Sequence, residues 1–222
     1  MSIATCCVTG FQWAGTPSGG DNSNYPNVRL LADHYAREVD AIVFVPDFFD
    51  GEELPFEPVD KGRWQEVDIG GFMQRHGRDT SEPFIFECAC ALRKQYKIVE
   101  AVGFCYNGWA AFRLGAKEHG KPLLDRITVG HPSLLTKKDI NEVAVPIQIL
   151  DPELDPVYTV DLKTYTSQTL QQLNVSFDYQ YFPGVEHACL VRGDPGKPGE
   201  HEAMIRGKNA AVNWLQQFCR RP

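Results

Sequence analysis

In Lys97-Ile-Val-Glu-Ala-Val-Gly-Phe-Cys-Tyr-Asn-Gly108, a short apolar run meets a cysteine framed by two glycines, Gly103 and Gly108. The run from Lys97 to Phe104 is mostly apolar and not alternating, broken after its opening lysine by Glu100, and it reads as a strand covered on both faces. Helical spacing follows from Gly108 to Glu118 and stops at Gly120. A strand, a sharp turn and a helix are therefore expected here in immediate succession. Working outward, similar runs stand at Arg126 to Gly130, Val145 to Leu150 and Val175 to Phe182, with Ala41 to Val45 upstream and a weaker candidate at Ile3 to Val8.

Helical patterns separate these runs. They lie at Val28 to Arg37, from Ser81 to about Gln95, at Asp161 to Leu173 and at Glu200 to Cys219. Ser81 reads as an N-cap and Pro83 as a first-turn proline. Strands alternating with helices across short connections predict parallel βαβ units, hence a three-layer α/β fold with a mostly parallel central sheet. The Pro/Gly-rich patches at Gly15 to Gly20, Gly51 to Pro58 and Gly193 to Gly199 read as loops between flanking units. A single domain over residues 1–222 is expected.

Composition excludes several classes. Apolar residues are 43% and charged residues 23% of 222, which is globular usage and not that of a disordered, collagen-like or coiled-coil chain. The 29 acidic residues outnumber 22 basic ones, for a formal charge of -7. Such a surface repels phosphate backbones and anionic lipid, so neither nucleic acid nor membrane is expected as a partner. The longest clean apolar runs are about five residues against the roughly 20 needed to span a bilayer, and no basic start precedes a long apolar stretch as in a signal peptide. Seven cysteines, none in a CxxC pair, predict free thiols in the cytoplasm. Cys88 and Cys90 are two apart and would not share a helix face, so no metal is expected. Gly108 is not followed by Lys-Ser/Thr and no GxGxxG occurs, so no nucleotide cofactor is expected either.

Reactive groups in an open α/β sheet gather beyond the carboxyl ends of the strands. Cys105 follows the first of the four closely spaced runs. Asp151-Pro-Glu-Leu-Asp155-Pro follows the third, and Pro183-Gly-Val-Glu-His187 follows the fourth. Nucleophile, acid and base thus occur in the chain order of an α/β-hydrolase triad. The glycine-framed turn would lift Cys105 clear of the sheet at a helix N-terminus, where the dipole favours a thiolate. The N–H of Tyr106 is then an oxyanion-hole donor. His187 would accept the thiol proton and an aspartate would orient the imidazole. Asp151 and Asp155 compete for that last role.

At these residues the sequence resembles the dienelactone hydrolase family, particularly its fungal-type members. Gly103-Phe-Cys-Tyr-Asn-Gly108 is similar to the family elbow G-[FY]-C-x-G-G, with Asn107 where glycine is usual. Leu150-Asp-Pro-Glu-Leu-Asp-Pro-Val157 and Tyr181-Phe-Pro-Gly-Val-Glu-His187 are similar to its acid and histidine segments, which puts the acid on Asp155. Val28 to Tyr35, Val45 to Phe49, His131-Pro-Ser133 and Lys208 to Val212 also match, as do Cys6 to Phe11 and Gly15 to Pro17. The resemblance implies a hydrolase of a carboxylic ester or enol-lactone, acting on a small molecule through a thioester. It further implies Arg192 as a guanidinium for a substrate carboxylate and His131 as a pocket-lining residue. No cofactor is implied. A monomer is expected, with a homodimer as the alternative.

By the same resemblance, the segment before Asn27 looks shortened. A central strand and a loop supplying the second oxyanion donor look absent, and one such donor is worth roughly 10²–10³ in turnover. Asparagine tolerates left-handed backbone, so the elbow is expected to survive at Asn107. Two other readings stay open. One is a non-catalytic member binding a small acidic ligand or a partner protein. The other is a redox-responsive thiol protein in which Cys189 resolves an oxidised Cys105.

Overall fold

Parallel strands cannot be joined by tight hairpins, and this chain places a helix in each crossover. The computed structural model describes residues 26–60, 63–120, 122–194 and 196–219. In chain order its elements are α1 (Pro26–Val39), α2 (Phe56–Asp60), α3 (Ile69–Arg75), α4 (Arg78–Gln95), β1 (Glu100–Phe104), α5 (Asn107–Leu114), β2 (Arg126–Gly130), α6 (Lys137–Asn141), β3 (Ile147–Leu154), α7 (Val160–Gln172), β4 (Phe177–Glu186), α8 (Cys189–Arg192) and α9 (Glu200–Cys219). The described residues form two compact units, one of residues 26–85 and 189–219, the other Phe86–Ala188.

The second unit holds the sheet. Its strands pair in the order β1-β2-β3-β4, all parallel. Every residue of β2 is buried, as is the first part of β3 from Ile147 to Pro152. Burial on both faces is what a central parallel strand requires, and here it takes in the polar Arg126, Thr128, Gln148 and Asp151 as well. Glu100 opens β1 directly beside Arg126 of β2, and the two form an ion pair at 2.9 Å. α5 is buried at every position from Gly108 to Leu114. Burying Trp109 and Phe112 there is worth about 1.5–3 kcal/mol for a large apolar side chain. Thr136 caps α6 through a reciprocal bond with Asp139, and Thr159 caps α7.

The first unit is helical. α9 buries Met204, Ala211, Trp214 and Leu215, and Lys208 on the same helix bonds Glu38 of α1 at 2.6 Å. Asn27 donates to the Val191 carbonyl at 3.1 Å, tying α1 to α8. No helix among the described residues is long and apolar enough to cross a membrane.

Several expectations need correction. Ala41 to Val45 belongs to no strand among the described residues, and Ile42 and Phe44 are 69% and 49% exposed. An apolar run becomes a strand only where a ladder partner meets it. The helix expected from Ser81 starts earlier, at Arg78. Ser81 is therefore not its cap but a buried residue bonding the His76 carbonyl, and Pro83 lies inside the helix. α5 stops at Leu114, and a 3₁₀ turn at Lys117–His119 follows. β3 and β4 run on through Leu154 and Glu186, so Asp151 is a strand residue opposite Tyr181, not part of a loop. α2 begins inside the stretch expected as a Gly51 to Pro58 loop. The candidate strand at Ile3 to Val8, the loop at Gly15 to Gly20 and the shortened segment before Asn27 fall, but for Pro26, on residues 1–25, outside the described residues.

Candidate active site

The turn between β1 and α5 sets the site. Cys105 has φ 50, a left-handed conformation that costs a non-glycine residue about 1–3 kcal/mol. It is Cys105, not Asn107, that takes this backbone, because Asn107 already stands in the first turn of α5. Its neighbours permit the turn. A Cβ on Gly103 would come within 2.3 Å of the Asn107 carbonyl oxygen. One on Gly108 would lie 2.5 Å from Pro132 Cβ, so α5 approaches the segment after β2 closely. Tyr106, next in the chain, has helical backbone, and its ring is buried against Trp109 with centroids 5.7 Å apart.

The other strand ends converge on Cys105. Its N–H donates to Gly130 O at 3.1 Å, one step beyond the β1–β2 ladder. Its carbonyl accepts from Gly108 N and Ser133 N, both at 2.9 Å. Ser133 Oγ lies 3.3 Å from Cys105 Sγ. His131 N donates to Leu150 O at 3.1 Å, continuing the β2–β3 ladder in the same way. Between Pro152 and Leu154 the β3–β4 register slips, with Gly184 at φ 73 in the widened part of β4. A bulge of this kind re-aims the residues after it. His187 emerges there, its N–H on Leu154 O at 3.0 Å.

His187 Nε2 lies 3.2 Å from Cys105 Sγ, and Nδ1 lies 2.8 Å from Asp155 Oδ2. The other oxygen of Asp155 accepts N–H bonds from Val157 and Tyr158, both at 2.9 Å. Burial pushes the Asp155 carboxyl up, but the bond and charge of His187 and the two backbone donors outweigh it and hold it below the ordinary carboxylate range. An ionised carboxylate only accepts hydrogen bonds, so Nδ1 carries a proton. Burial pulls His187 down. The bonds and charges of Asp155 and Cys105 outweigh that and raise it to about 9.

Asp151 sits elsewhere. Its Oδ1 pairs with Lys163 Nζ at 2.8 Å and its Oδ2 accepts from Tyr179 OH at 2.9 Å. Burial raises its carboxyl against both. Lys163, one turn into α7, also donates to the carbonyls of Pro152 and Glu153. It thereby pins the strand end just ahead of Asp155. Sequence reasoning missed Lys163 in this role, and missed that Ser133 touches the cysteine. Both contacts depend on which elements pack together, and no motif announces that.

His131 is 0% exposed, with φ 37, and its ring stands 4.8 Å from the His187 ring, edge to face. Arg192 is the last residue of α8. Its Nε is buried without a hydrogen-bond partner among the described residues. Cys189 is buried, and it is not in a disulfide.

A cysteine thiol, an imidazole and a carboxylate in one chain of hydrogen bonds can attack a carbonyl and shuttle a proton. The comparisons with known proteins find hydrolases. Residues 25–219 match the model of the dienelactone hydrolase family. The chain is 24% identical over 251 residues to the hydrolase tropI of Talaromyces stipitatus, covering 97% of this chain and 96% of that protein. It is 24% identical over 197 residues to the hydrolase pyvD of Aspergillus violaceofuscus, covering 88% and 76%. Among solved structures, a metagenome-derived lipolytic enzyme of the LipS and LipT pair superposes with TM-score 0.61 at 9% identity, covering 98% of this chain and 96% of that one. A dienelactone hydrolase-like promiscuous phosphotriesterase from metagenomic libraries superposes with TM-score 0.52 at 20% identity, covering 68% and 65%. At these identities the two structures speak to the fold, which is α/β-hydrolase.

Proposed function

The chain belongs to the dienelactone hydrolase family, and from that premise we propose that it is a cysteine-dependent hydrolase of carboxylic esters or enol-lactones. Cys105 is the nucleophile, His187 the acid and base, and Asp155 the group that orients the imidazole. The observation that carries the reading is the pair of contacts on His187, 3.2 Å to Cys105 Sγ and 2.8 Å to Asp155 Oδ2. The family match running through residues 25–219 supports one hydrolase domain. A cytoplasmic enzyme working on a small molecule as a monomer completes the proposal.

The reaction follows from where one proton sits. In the free enzyme the Cys105–His187 pair holds it on Nε2, leaving a thiolate. Sγ adds to the carbonyl carbon, and the oxyanion that forms is met by the N–H of Tyr106. The acyl C–O bond then breaks, and the leaving oxygen takes the Nε2 proton. An enolate leaves readily, so the adduct collapses forward to a thioester. With the thiolate consumed, His187 loses one of the contacts that raise its pKa. The neutral imidazole takes a proton from water as the hydroxide adds. The C–S bond breaks, the acid departs, and the thiolate–imidazolium pair is restored. Arg192 is proposed as the holder of a substrate carboxylate on the resemblance in sequence alone.

The test is hydrolysis of dienelactone and of an activated aryl ester by wild type and Cys105→Ala, with intact mass taken before and during turnover. Turnover that vanishes in the variant, with a transient acyl adduct on the wild type only, is the expected result. A folded wild type that neither turns over nor acquires an adduct would overturn the proposal.

A further inference from the structure

We propose that Cys105, His131 and His187 also form a binding site for a soft or borderline divalent cation, Zn²⁺ above all, and that its occupancy reversibly shuts the hydrolase off. The ligating atoms of these three side chains lie within 4.8 Å of one another, and Cys105 Sγ and His187 Nε2 are 3.2 Å apart. Tetrahedral zinc with Zn–S near 2.3 Å and Zn–N near 2.0–2.1 Å sets its ligand atoms about 3.3–3.6 Å apart. Closing the cluster on an ion therefore shortens the ligand–ligand distances by about 1.5 Å at most.

The donor set suits the ion. Thiolate and imidazole are the ligands such cations select, whereas Mg²⁺ and Ca²⁺ prefer oxygen. Asp155 does for a metal what it does for catalysis. A carboxylate on Nδ1 fixes the tautomer that leaves the Nε2 lone pair for a ligand, the usual outer partner of a metal-bound histidine. Three protein ligands leave a fourth position for water or for Ser133 Oγ, which is 3.3 Å from Sγ. When the ion binds, a metal–sulfur bond and two metal–nitrogen bonds form. The one proton shared by Cys105 and His187 leaves to solvent.

Inhibition is the consequence because the metal occupies Sγ and Nε2 together, the attacking atom and the proton carrier. That consequence rests on the proposed function. The binding itself does not, and it is measured without reference to turnover. The three ligands stand 26 and 56 residues apart in sequence (131 − 105 and 187 − 131), which is why no spacing motif betrays them.

The experiment titrates chelator-treated protein with Co²⁺ as a spectroscopic probe and with Zn²⁺ against a chromophoric chelator, while hydrolysis is followed in the same samples. One equivalent should bind, with a thiolate-to-cobalt charge-transfer band that Cys105→Ala lacks. Asp155→Asn should weaken binding about 10–100-fold, the usual effect of losing an outer partner, and His131→Asn should weaken it more. Hydrolysis should fall in proportion to occupancy and return on adding EDTA. X-ray absorption of the zinc-loaded wild type should count one sulfur and two imidazoles. This readout stands even if the buried His131 variant fails to fold. No stoichiometric binding, a spectrum without sulfur, or one imidazole where two are expected would overturn the site. Stoichiometric binding that leaves hydrolysis untouched would overturn the inhibition. A wild type that binds metal through one sulfur and two imidazoles yet never hydrolyses an ester would keep the site and refute the hydrolase reading instead.

Discussion

Replacing Asp155 by asparagine separates orientation from folding. The side-chain carbonyl oxygen of the substituted asparagine can still accept the N–H groups of Val157 and Tyr158 that Asp155 Oδ1 accepts now, so the loop should keep its shape and Tm should change little. What changes is the face toward His187. The carboxylate is one of the groups that lift His187 from 6.5 to about 9. That rise of 2.5 (9 − 6.5) amounts to about 3 kcal/mol in favour of the imidazolium, shared with Cys105. An amide NH₂ donating to Nδ1 would also move the ring proton to Nε2, where it faces Sγ and cannot take a proton from water. Loss of a positioned base costs about 10²–10⁴, and it should fall on both steps, since Nε2 can then take a proton neither from the Cys105 thiol nor from water. Stopped-flow with an activated aryl ester should show both a slower burst and a slower steady state than wild type. The alkaline limb of kcat/KM reports the free enzyme. It should lie near pH 9 in wild type, above which the imidazolium is lost. In the variant it should move down, since both the bond and the charge that were removed raise the pKa. A variant that turns over as fast as wild type, with its alkaline limb unmoved, would refute the assignment of Asp155.

Two further substitutions probe the scaffold. Asp151→Ala would strand the Lys163 ammonium among the carbonyls of β3. Breaking a buried pair costs about 3–5 kcal/mol, or about 6–20 °C in Tm at about 2–4 °C per kcal/mol. Calorimetry should show that loss while kcat per folded molecule stays close to wild type, and equal stability with lost turnover would make Asp151 the functional acid. Gly103→Ala should lose about 1–3 kcal/mol by overpacking, because its Cβ would lie 2.3 Å from the Asn107 carbonyl oxygen. Its acyl-adduct formation should fall with it, and an unperturbed midpoint in urea would show that the turn can open to admit a methyl group.

The parts of the fold that were legible in the sequence are those whose signal is local. β2 was read at its full extent because its β-branched core, Ile127, Thr128 and Val129, suits a pleated and buried surface. α9 was read from Glu200 to Cys219 because its apolar residues recur at helical spacing. Ala41 to Val45 carries the same local signal and misled, since pairing is not written in a strand's own composition. Ser81 and Pro83 misled in the other direction. They match a helix start one turn inside a helix that begins at Arg78. At the site, Cys105 was legible because the sharp turn demands glycine on either side. The choice between Asp155 and Asp151 came from resemblance. The contacts that distinguish them, His187 on one and Lys163 on the other, are set by the β3–β4 register.

That register explains where the backbone is strained. Cys105, His131 and Ala188 all have positive φ, at 50, 37 and 72. Each stands one or two residues past a strand, and each conformation costs about 1–3 kcal/mol. Nothing local repays that cost. The ladder does, because Cys105 N bonds Gly130 O, His131 N bonds Leu150 O and His187 N bonds Leu154 O, each extending a strand pairing by a step. A chain that continues the ladder and then must leave it has only a sharp left-handed turn available. The turns at Cys105 and His131, and the one just after His187, leave these three side chains beyond the sheet edge and close to one another. The strain and the convergence of Cys105, His131 and His187 are thus one geometric event, and relieving the strain at any of the three positions should scatter the cluster.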